Sequence, residues 1–408
     1  MKEYCLADLI DIKHGFAFDG EHITSDDNGI VLVTPGNFKI GGGFQEDKCK
    51  YFNGDIPEEF VLKPGAYIVT MTDLSKGIDT LGYTAIVPKN AKRTYLHNQR
   101  IGLISFLSDE CDKDYLYYLM QSHDYQREIA NTSTGSTVHH TSPSRIRNYK
   151  FLAPDIQIQR FIAKTLRTYD DLIENNQKQI KLLEEAAQRL YKEWFVDLCF
   201  PGHETTRVVD GVPEGWRKET ISDICDTIGG GTPSTSKPEY YSDGTIRWVT
   251  PTDLTKANSL ILLDSEKKIT IDGLNNSSAK LLPPYTILMT SRASIGFFAL
   301  CEFEVCTNQG FISCVPCCEE MRYYLLFNLM ERVDEIKGKA TGSTFLEISK
   351  RTFRDMEIIV PNNELLLRFT TIIDPIIKEQ RTLTKIIAHL QQARDRLLPK
   401  LMSGELEV

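Results

Sequence analysis

The sequence predicts an α+β chain, with two similar mixed α/β domains at opposite ends of a long antiparallel two-helix coiled coil, related by a pseudo-two-fold repeat. Three observations lead to this. The halves of the 408-residue chain echo each other in order. Each half closes on a sustained heptad pattern. The connection between the halves is too short to return along the first helix.

The repeat comes first, because missing it would misread the whole architecture. Asp8-Leu9-Ile10-Asp11 answers Asp223-Ile224-Cys225-Asp226, and Val33-Thr34-Pro35 answers Val249-Thr250-Pro251. Asn98-Gln99 answers Asn308-Gln309, and Thr134-Gly135-Ser136-Thr137 answers Thr341-Gly342-Ser343-Thr344. The offsets are 215, 216, 210 and 207, a drift that small loop insertions produce. Domain boundaries follow: a first domain over 1–153, a spacer helix over 154–200, a second domain over 201–360, and a second spacer helix with a tail over 361–408.

After Pro154 the text turns helical, with Ile162, Leu166, Tyr169, Ile173, Asn176, Ile180, Leu183, Ala187, Leu190 and Trp194 spaced by four and three. After Pro361 the same spacing runs through Leu365, Phe369, Ile372, Ile376, Glu379, Leu383, Ile386, Leu390, Ala393 and Leu397. Strict 3.5-residue spacing favours a coiled-coil seam over a broader globular face. Pro375 interrupts the second seam, where a kink or a helix start is expected. Asn176 and Glu379 are the one polar rung of each seam. In an antiparallel pairing the fifth rung of one helix faces the sixth of the other. Asn176 is then expected across from Leu383 and Glu379 across from Ile180, as a pair that fixes register. Exposure of both positions to solvent or to a partner is the alternative.

About a dozen residues separate the first helix from Pro213-Glu214-Gly215-Trp216. They cannot carry the chain back along a helix of ~40 residues, which spans ~60 Å. The second domain therefore begins at the far end of the first helix, and its own helix runs back. Within the domains, Ala66–Met71 and Thr286–Thr290 read as strands, flanked by Pro-Gly or Pro-Pro turns. Leu116–Met120 and Tyr323–Met330 read as short helices, and long Ser/Thr/Gly/Asn loops connect the rest.

Composition narrows the class. Apolar residues at 41% and charged residues at 25% are ordinary globular usage. No apolar run approaches a membrane span, and the first residues lack an apolar signal core. Ten cysteines without framework spacing then suit a reducing cytoplasm. The net charge of −9 argues against simple charge-driven binding to nucleic acid.

Chemistry is mostly absent. Cys301, Cys306, Cys314 and Cys317 lie in apolar strand text without a counterpart in the first half, so no metal site is expected. His139-His140 reads as a loop pair. Leu282-Pro283-Pro284-Tyr285 is similar to the Asp/Asn-Pro-Pro-Tyr grip of amino-methyltransferases, but Leu282 lacks the acceptor that grip needs. Neither a Gly-rich cofactor turn nor a phosphate loop appears. A non-catalytic chain with two similar heads remains.

That arrangement resembles the specificity subunit of type I restriction–modification systems. Val212-Pro213-Glu214-Gly215-Trp216, the two Thr-Gly-Ser-Thr stretches and the closing Leu398-Pro399-Lys400-Leu401-Met402-Ser403-Gly404-Glu405-Leu406 carry the resemblance, which covers essentially the whole chain. It implies two target-recognition domains reading the halves of a bipartite, asymmetric target in double-stranded DNA. It further implies a spacer that docks two methyltransferase subunits, with restriction/translocase subunits beyond them. This chain would hold no cofactor; S-adenosylmethionine, ATP and Mg would belong to the partners.

Candidate DNA-binding residues are polar loop positions: Thr34, Asn37, Lys76, Asn98, Gln99, His139 and Arg145, then Thr250, Thr252, Arg292, Asn308, Gln309 and Lys350. Asn and Gln pair with adenine and Arg with guanine in the major groove, although the repeated Asn-Gln pairs equally suit capping of turns. Local basic stripes would offset the net charge, through Arg93, Arg100, Arg145, Arg147 and Lys150 in one half and Lys337, Lys339, Lys350, Arg351 and Arg354 in the other. The rival reading is a coiled-coil protein–protein scaffold with two ligand-binding heads.

Overall fold

The computed structural model describes residues 1–47, 49–75, 77–257, 259–342 and 345–406. Two compact units emerge: Met1–Ile173 with Leu390–Val408, and Glu174–His389. Both ends of the chain belong to the first unit, as an antiparallel helix pair requires. None of the helices among the described residues is long and apolar enough to cross a membrane.

The first unit is built on β1 (Lys2–Cys5), β2 (Ile10–His14), β3 (Ile30–Val33), β4 (Tyr67–Thr70), β5 (Thr84–Ile86), β6 (Thr94–His97), β7 (Ile101–Phe106) and β8 (Lys150–Ala153). An antiparallel sheet runs in the order β2-β7-β4-β5. Strands β3 and β6 pair in parallel, and β1 pairs with β8. Gly102 sits in mid-strand because a β-carbon there would meet Ile12 Cγ2 at 2.4 Å and Val69 Cγ1 at 2.9 Å. Helix α1 (Lys113–Leu119) opens where the Asp112 carboxylate accepts from the Asp114 and Tyr115 amides, both at 3.0 Å. Its Tyr115 and Tyr118 fill the core against Leu6, Leu9 and Ile146. Helix α2 (Ile156–Tyr191) follows β8.

The second unit repeats this plan. Strands β9 (Arg217–Thr220), β10 (Cys225–Gly229), β11 (Ile246–Val249), β12 (Ile287–Thr290), β13 (Phe298–Leu300), β14 (Cys306–Thr307), β15 (Phe311–Pro316) and β16 (Glu357–Val360) match the first eight in order. The sheet order is β10-β15-β12-β13, β11 pairs with β14 in parallel, and β9 pairs with β16. Helix α3 (Met321–Glu331) occupies the place of α1, and α4 (Asn363–Ser403) follows β16.

The seam expected in α2 is buried or half-buried at every rung from Ile162 to Trp194. Past Tyr191 the helix widens into a π turn, Lys192–Val196, which brings the consecutive Trp194 and Phe195 both inward. The seam of α4 differs from expectation. Ile372 and Ile386 are 43% and 40% exposed, and Glu379 is exposed, whereas Gln380 is 1% exposed. The physical cause lies at the helix start, where Leu365 and Leu366 are both buried. A stripe through Phe369, Ile373, Ile376, Gln380, Leu383, Ile387 and Leu390 then stays buried or half-buried, which keeps the 3.5-residue spacing but in the phase that Leu366 sets. Pro375 does not start the helix, which runs unbroken past it. The proline stands on the solvent side, where water can satisfy the carbonyl it leaves unbonded.

The register pair is likewise corrected. In the second unit the Trp194 and Phe369 rings lie 6.0 Å apart. Counting eleven residues inward along each helix sets Gln380 level with Leu183, and counting eighteen sets Asn176 level with Ile387. Asn176 is buried but one turn away from Leu383, and Glu379 faces water.

The globular part of each unit seats on its helices differently. In the first, Arg167 of α2 donates to Asp114 of α1 at 2.6 Å, and the Tyr67 hydroxyl donates to the same carboxylate oxygen at 2.5 Å. Asp170 accepts from the Tyr118 hydroxyl and from Arg394 of α4, both at 2.6 Å. In the second, Tyr191, Trp194 and Phe195 of the first spacer helix meet Phe369 of α4, Phe195 against Phe369 at 4.9 Å. Tyr324 of α3 closes on Phe195 at 4.9 Å, and Trp216 joins at 6.0 Å.

Candidate nucleic-acid interface

In each unit the same backbone device builds an exposed apex where the parallel strand pair ends. In the first unit Asn98 follows β6, and its side-chain oxygen accepts from the Arg100 amide at 3.0 Å. This Asx turn points Gln99 and Arg100 into solvent while Asn98 itself is buried. Phe16 brackets the turn by two main-chain bonds, to His97 and from Gln99, both at 2.8 Å. The chain at Gly15 runs so close that a β-carbon would meet the carbonyl oxygens of His97 and Asn98 at 2.3 Å. His97 is buried, and burial holds its imidazole below its usual pKa; the neutral ring donates from Nε2 to the Ile101 carbonyl at 2.8 Å.

Two more segments join this turn. The Arg100 carbonyl accepts from Met71 at 2.9 Å, and Thr72–Asp73 pairs with His139–His140. That pairing holds a hairpin closed by main-chain bonds between Thr134 and His140. Gly135, at φ +106°, shapes it; a β-carbon there would strike the Val138 oxygen at 2.0 Å. His140 Nδ1 lies 3.2 Å from the Thr72 hydroxyl, and Arg145 donates to the Thr134 hydroxyl at 3.4 Å. Burial pushes the Asp73 carboxyl up, but hydrogen bonds from Ser75 and Thr80 outweigh it and hold the group below the ordinary range, anchoring the loop as an anion.

The second unit repeats the geometry with other side chains. Asn308 accepts from the Gly310 amide at 2.9 Å, and Gln309 is exposed. Gly230 passes where a β-carbon would meet the Asn308 oxygen at 2.0 Å and the Thr307 oxygen at 2.3 Å. Ser291 donates to the Gly310 carbonyl at 2.8 Å and accepts from Ile348 at 3.1 Å. Thr341 and Glu347 close a hairpin shaped by Gly342 at φ +140°. Arg292 pairs with Glu347 at 3.6 Å, Thr232 donates to Gln309, and Phe345 and Leu346 stand exposed.

The apices therefore gather Asn98, Gln99, His139 and Arg145 in one unit, and Asn308, Gln309 and Arg292 in the other. Thr34 and Thr250 lie beside them, at the ends of β3 and β11, but serve local caps. The Thr34 amide donates to Asn37 at 2.8 Å, and the Thr250 amide donates to Asp253 at 2.7 Å. Asn37 is fully buried and spends its amide on the Gln45 carbonyl, so it offers no edge to a base. Thr252 is exposed on the short helix Pro251–Ala257, and Lys350 on the helix Lys350–Arg354, capped by Ser349. Lys76, Ser343 and Thr344 lie outside the described residues. Phe345 and Leu346 carry no signal in the sequence, whereas Arg100 stands there only in a basic stripe and His140 only in a loop pair. Aligning the repeat through Gly15 and Gly230, at the same offset of 215 as the Asp8 and Asp223 stretches, marks the backbone that crosses the Asn98 and Asn308 turns, and with it Arg100.

The exposed groups are amides, guanidinium, imidazole and rings. Burial pushes the Cys301 and Cys306 thiols up to about 12, so neither supplies a thiolate.

The chain matches the sequence profile described as the type I restriction modification DNA specificity domain over residues 1–185 and again over 213–392. Among curated relatives, the MjaIX specificity subunit of a type I restriction enzyme from Methanocaldococcus jannaschii is 28% identical, covering 80% of this chain and 76% of that one. The HindI specificity subunit from Haemophilus influenzae is 26% identical over 72% of this chain and 77% of its own. In fold, the chain is similar to the type I restriction–modification S subunit of M. genitalium, with a TM-score of 0.58 at 18% identity, covering 98% of this chain and 96% of that one.

Proposed function

This chain belongs to the type I restriction–modification DNA specificity domain family, and from that premise we propose that it selects a bipartite, asymmetric DNA target, each unit reading one half. The observation that carries the reading is the pair of apices: one backbone design, two sets of outward side chains. Gln99, Arg100, His139 and Arg145 are the reading groups of the first unit; Gln309 and Arg292 are those of the second. Gln suits adenine and Arg suits guanine, each good pair discriminating by about 1–3 kcal/mol. Thr34, Asn37, Asn98, Thr250 and Asn308 shape the turns, and Thr252 and Lys350 are left for the phosphates.

The chain performs no chemistry in this scheme. Two methyltransferase subunits bring S-adenosylmethionine, and restriction/translocase subunits bring ATP and Mg. The methyltransferases also supply much of the phosphate grip that a chain of net charge −9 lacks.

Co-expression with its methyltransferase, followed by methylation-sensitive genome sequencing, tests the reading. Expected is one two-part motif. Gln99→Ala should relax one half alone and Gln309→Ala the other alone. Either substitution relaxing both halves, or a methylated motif without two parts, overturns it.

A further inference from the structure

The long helices begin at equivalent points, three residues after β8 ends at Ala153 and after β16 ends at Val360. Leu166 in α2 and Ile373 in α4 occupy the same turn, and both are fully buried. The next residue in each helix, the twelfth, is Arg167 in one and Asp374 in the other. Their sign is opposite, and so is the sign of the charged residue at the second position of the short helix beside each, Asp114 in one unit and Arg322 in the other.

Arg167 reaches Asp114 at 2.6 Å, with its guanidinium 5.1 Å from the Tyr117 ring. Asp374 instead accepts from the Tyr323 hydroxyl at 2.9 Å, and the neighbouring Arg322 helps hold its carboxyl charged. Lys378 supports Asp374 from its own helix at 2.5 Å.

We infer that this charge inversion is a key that fits each recognition domain to its own spacer helix and to no other. The first domain set against the start of α4 would face Asp114 with Asp374. The second set against the start of α2 would face Arg322 with Arg167. Each wrong seating replaces a half-buried attraction with a half-buried like-charge approach, which costs more than the loss of the attraction alone. Two domains of one architecture in one chain are thereby kept from exchanging seats, and a transplanted domain needs the first three turns of its helix.

Charge-swap variants of the full chain test the key, read by thermal unfolding and by hydrogen exchange in α1 and α3. Arg167→Met, which removes charge but keeps bulk, should lower the first unit's melting temperature by about 3 °C. Arg167→Asp, the second helix's residue, should lower it by about twice as much. Asp114→Arg combined with Arg167→Asp should recover at least half of that loss. In the second unit Asp374→Arg should speed exchange in α3, and Arg322→Asp on top of it should slow exchange again. Equal losses for Arg167→Met and Arg167→Asp, or no recovery in either double variant, would overturn the proposal. The Met variant serves as the folded reference if a reversed one fails to fold.

Discussion

The two units share strand order and sheet register, yet ion pairs stand where the helices pass in the first and aromatic rings in the second. The second keeps ion pairs of its own, from Glu302 to Arg381 and Lys385 of α4. Asp114–Arg167 and Asp170–Arg394 hold the first. Ile377 and Ala187 stand in the second where Asp170 and Arg394 stand in the first, and both are buried in a cluster with Tyr191, Trp194, Phe195 and Phe369. The fold therefore does not prescribe how the seat is made. An ionic seat is directional and sensitive to salt and acid, whereas an aromatic seat draws on buried area and tolerates both.

The largest effect that would sharpen this contrast comes from the rings. Phe369 is fully buried and touches four aromatic neighbours, Tyr191, Trp194, Phe195 and Phe327. Phe369→Ala should destabilise the second unit by about 3–5 kcal/mol and leave hydrogen exchange in the first unchanged. Trp194, Trp216 and Trp248, the chain's 3 tryptophans, all fall in the second unit, so their fluorescence follows that unit alone. Equal loosening of both units would break the comparison.

Acid should separate the units next. Burial pushes the Asp114 carboxyl up, but the Tyr67 hydroxyl and Arg167 outweigh it and hold the group below its ordinary value. Asp374 is likewise lowered, with burial opposed by Lys378 and Tyr323. A lowered folded-state pKa gives stability that is present above the unfolded value, near ~3.9, and lost as pH falls through the folded one. Below about pH 4 both seats weaken, but the second keeps its rings. Exchange in α1 should therefore rise before tryptophan fluorescence shifts. The reverse order would show that charge does not seat the first unit.

The smallest effect tests the seam. Gln380 is buried with its side-chain nitrogen unpartnered, an arrangement that costs about 1–3 kcal/mol. Gln380→Leu should raise the melting temperature of the second unit by a few degrees, while Glu379→Leu, at an exposed position, should change it little. A larger gain from Glu379→Leu would move the seam back to Ile372, Glu379 and Ile386.

The repeat, the main strands and the first seam were legible because each rests on a local periodicity. The phase of the second seam was not, because a heptad through Ile372, Glu379 and Ile386 fits the text as well as the buried or half-buried one through Ile373, Gln380 and Ile387. Only the doubly buried Leu365-Leu366 start decides the phase. At the apices the Asn-Gln pairs were legible as pairs, but their division of labour was not. That Asn turns inward and Gln outward follows from a bond to the amide two residues on, which sequence spacing does not encode. Phe195 escaped notice because a heptad admits Trp194 alone; the π turn that brings both inside leaves no mark in the pattern.

At Gly15 and Gly230 the chain passes the carbonyls of Asn98 and Asn308 too closely for any β-carbon. The turn that carries Gln99 and Arg100 outward is thus held by main chain and one asparagine, and those two side chains take no part in holding it. Replacing them should cost the fold within about 0.5 kcal/mol, as at any unencumbered surface position. A backbone closed in this way leaves its outward side chains free to be exchanged one at a time, with the turn itself unmoved.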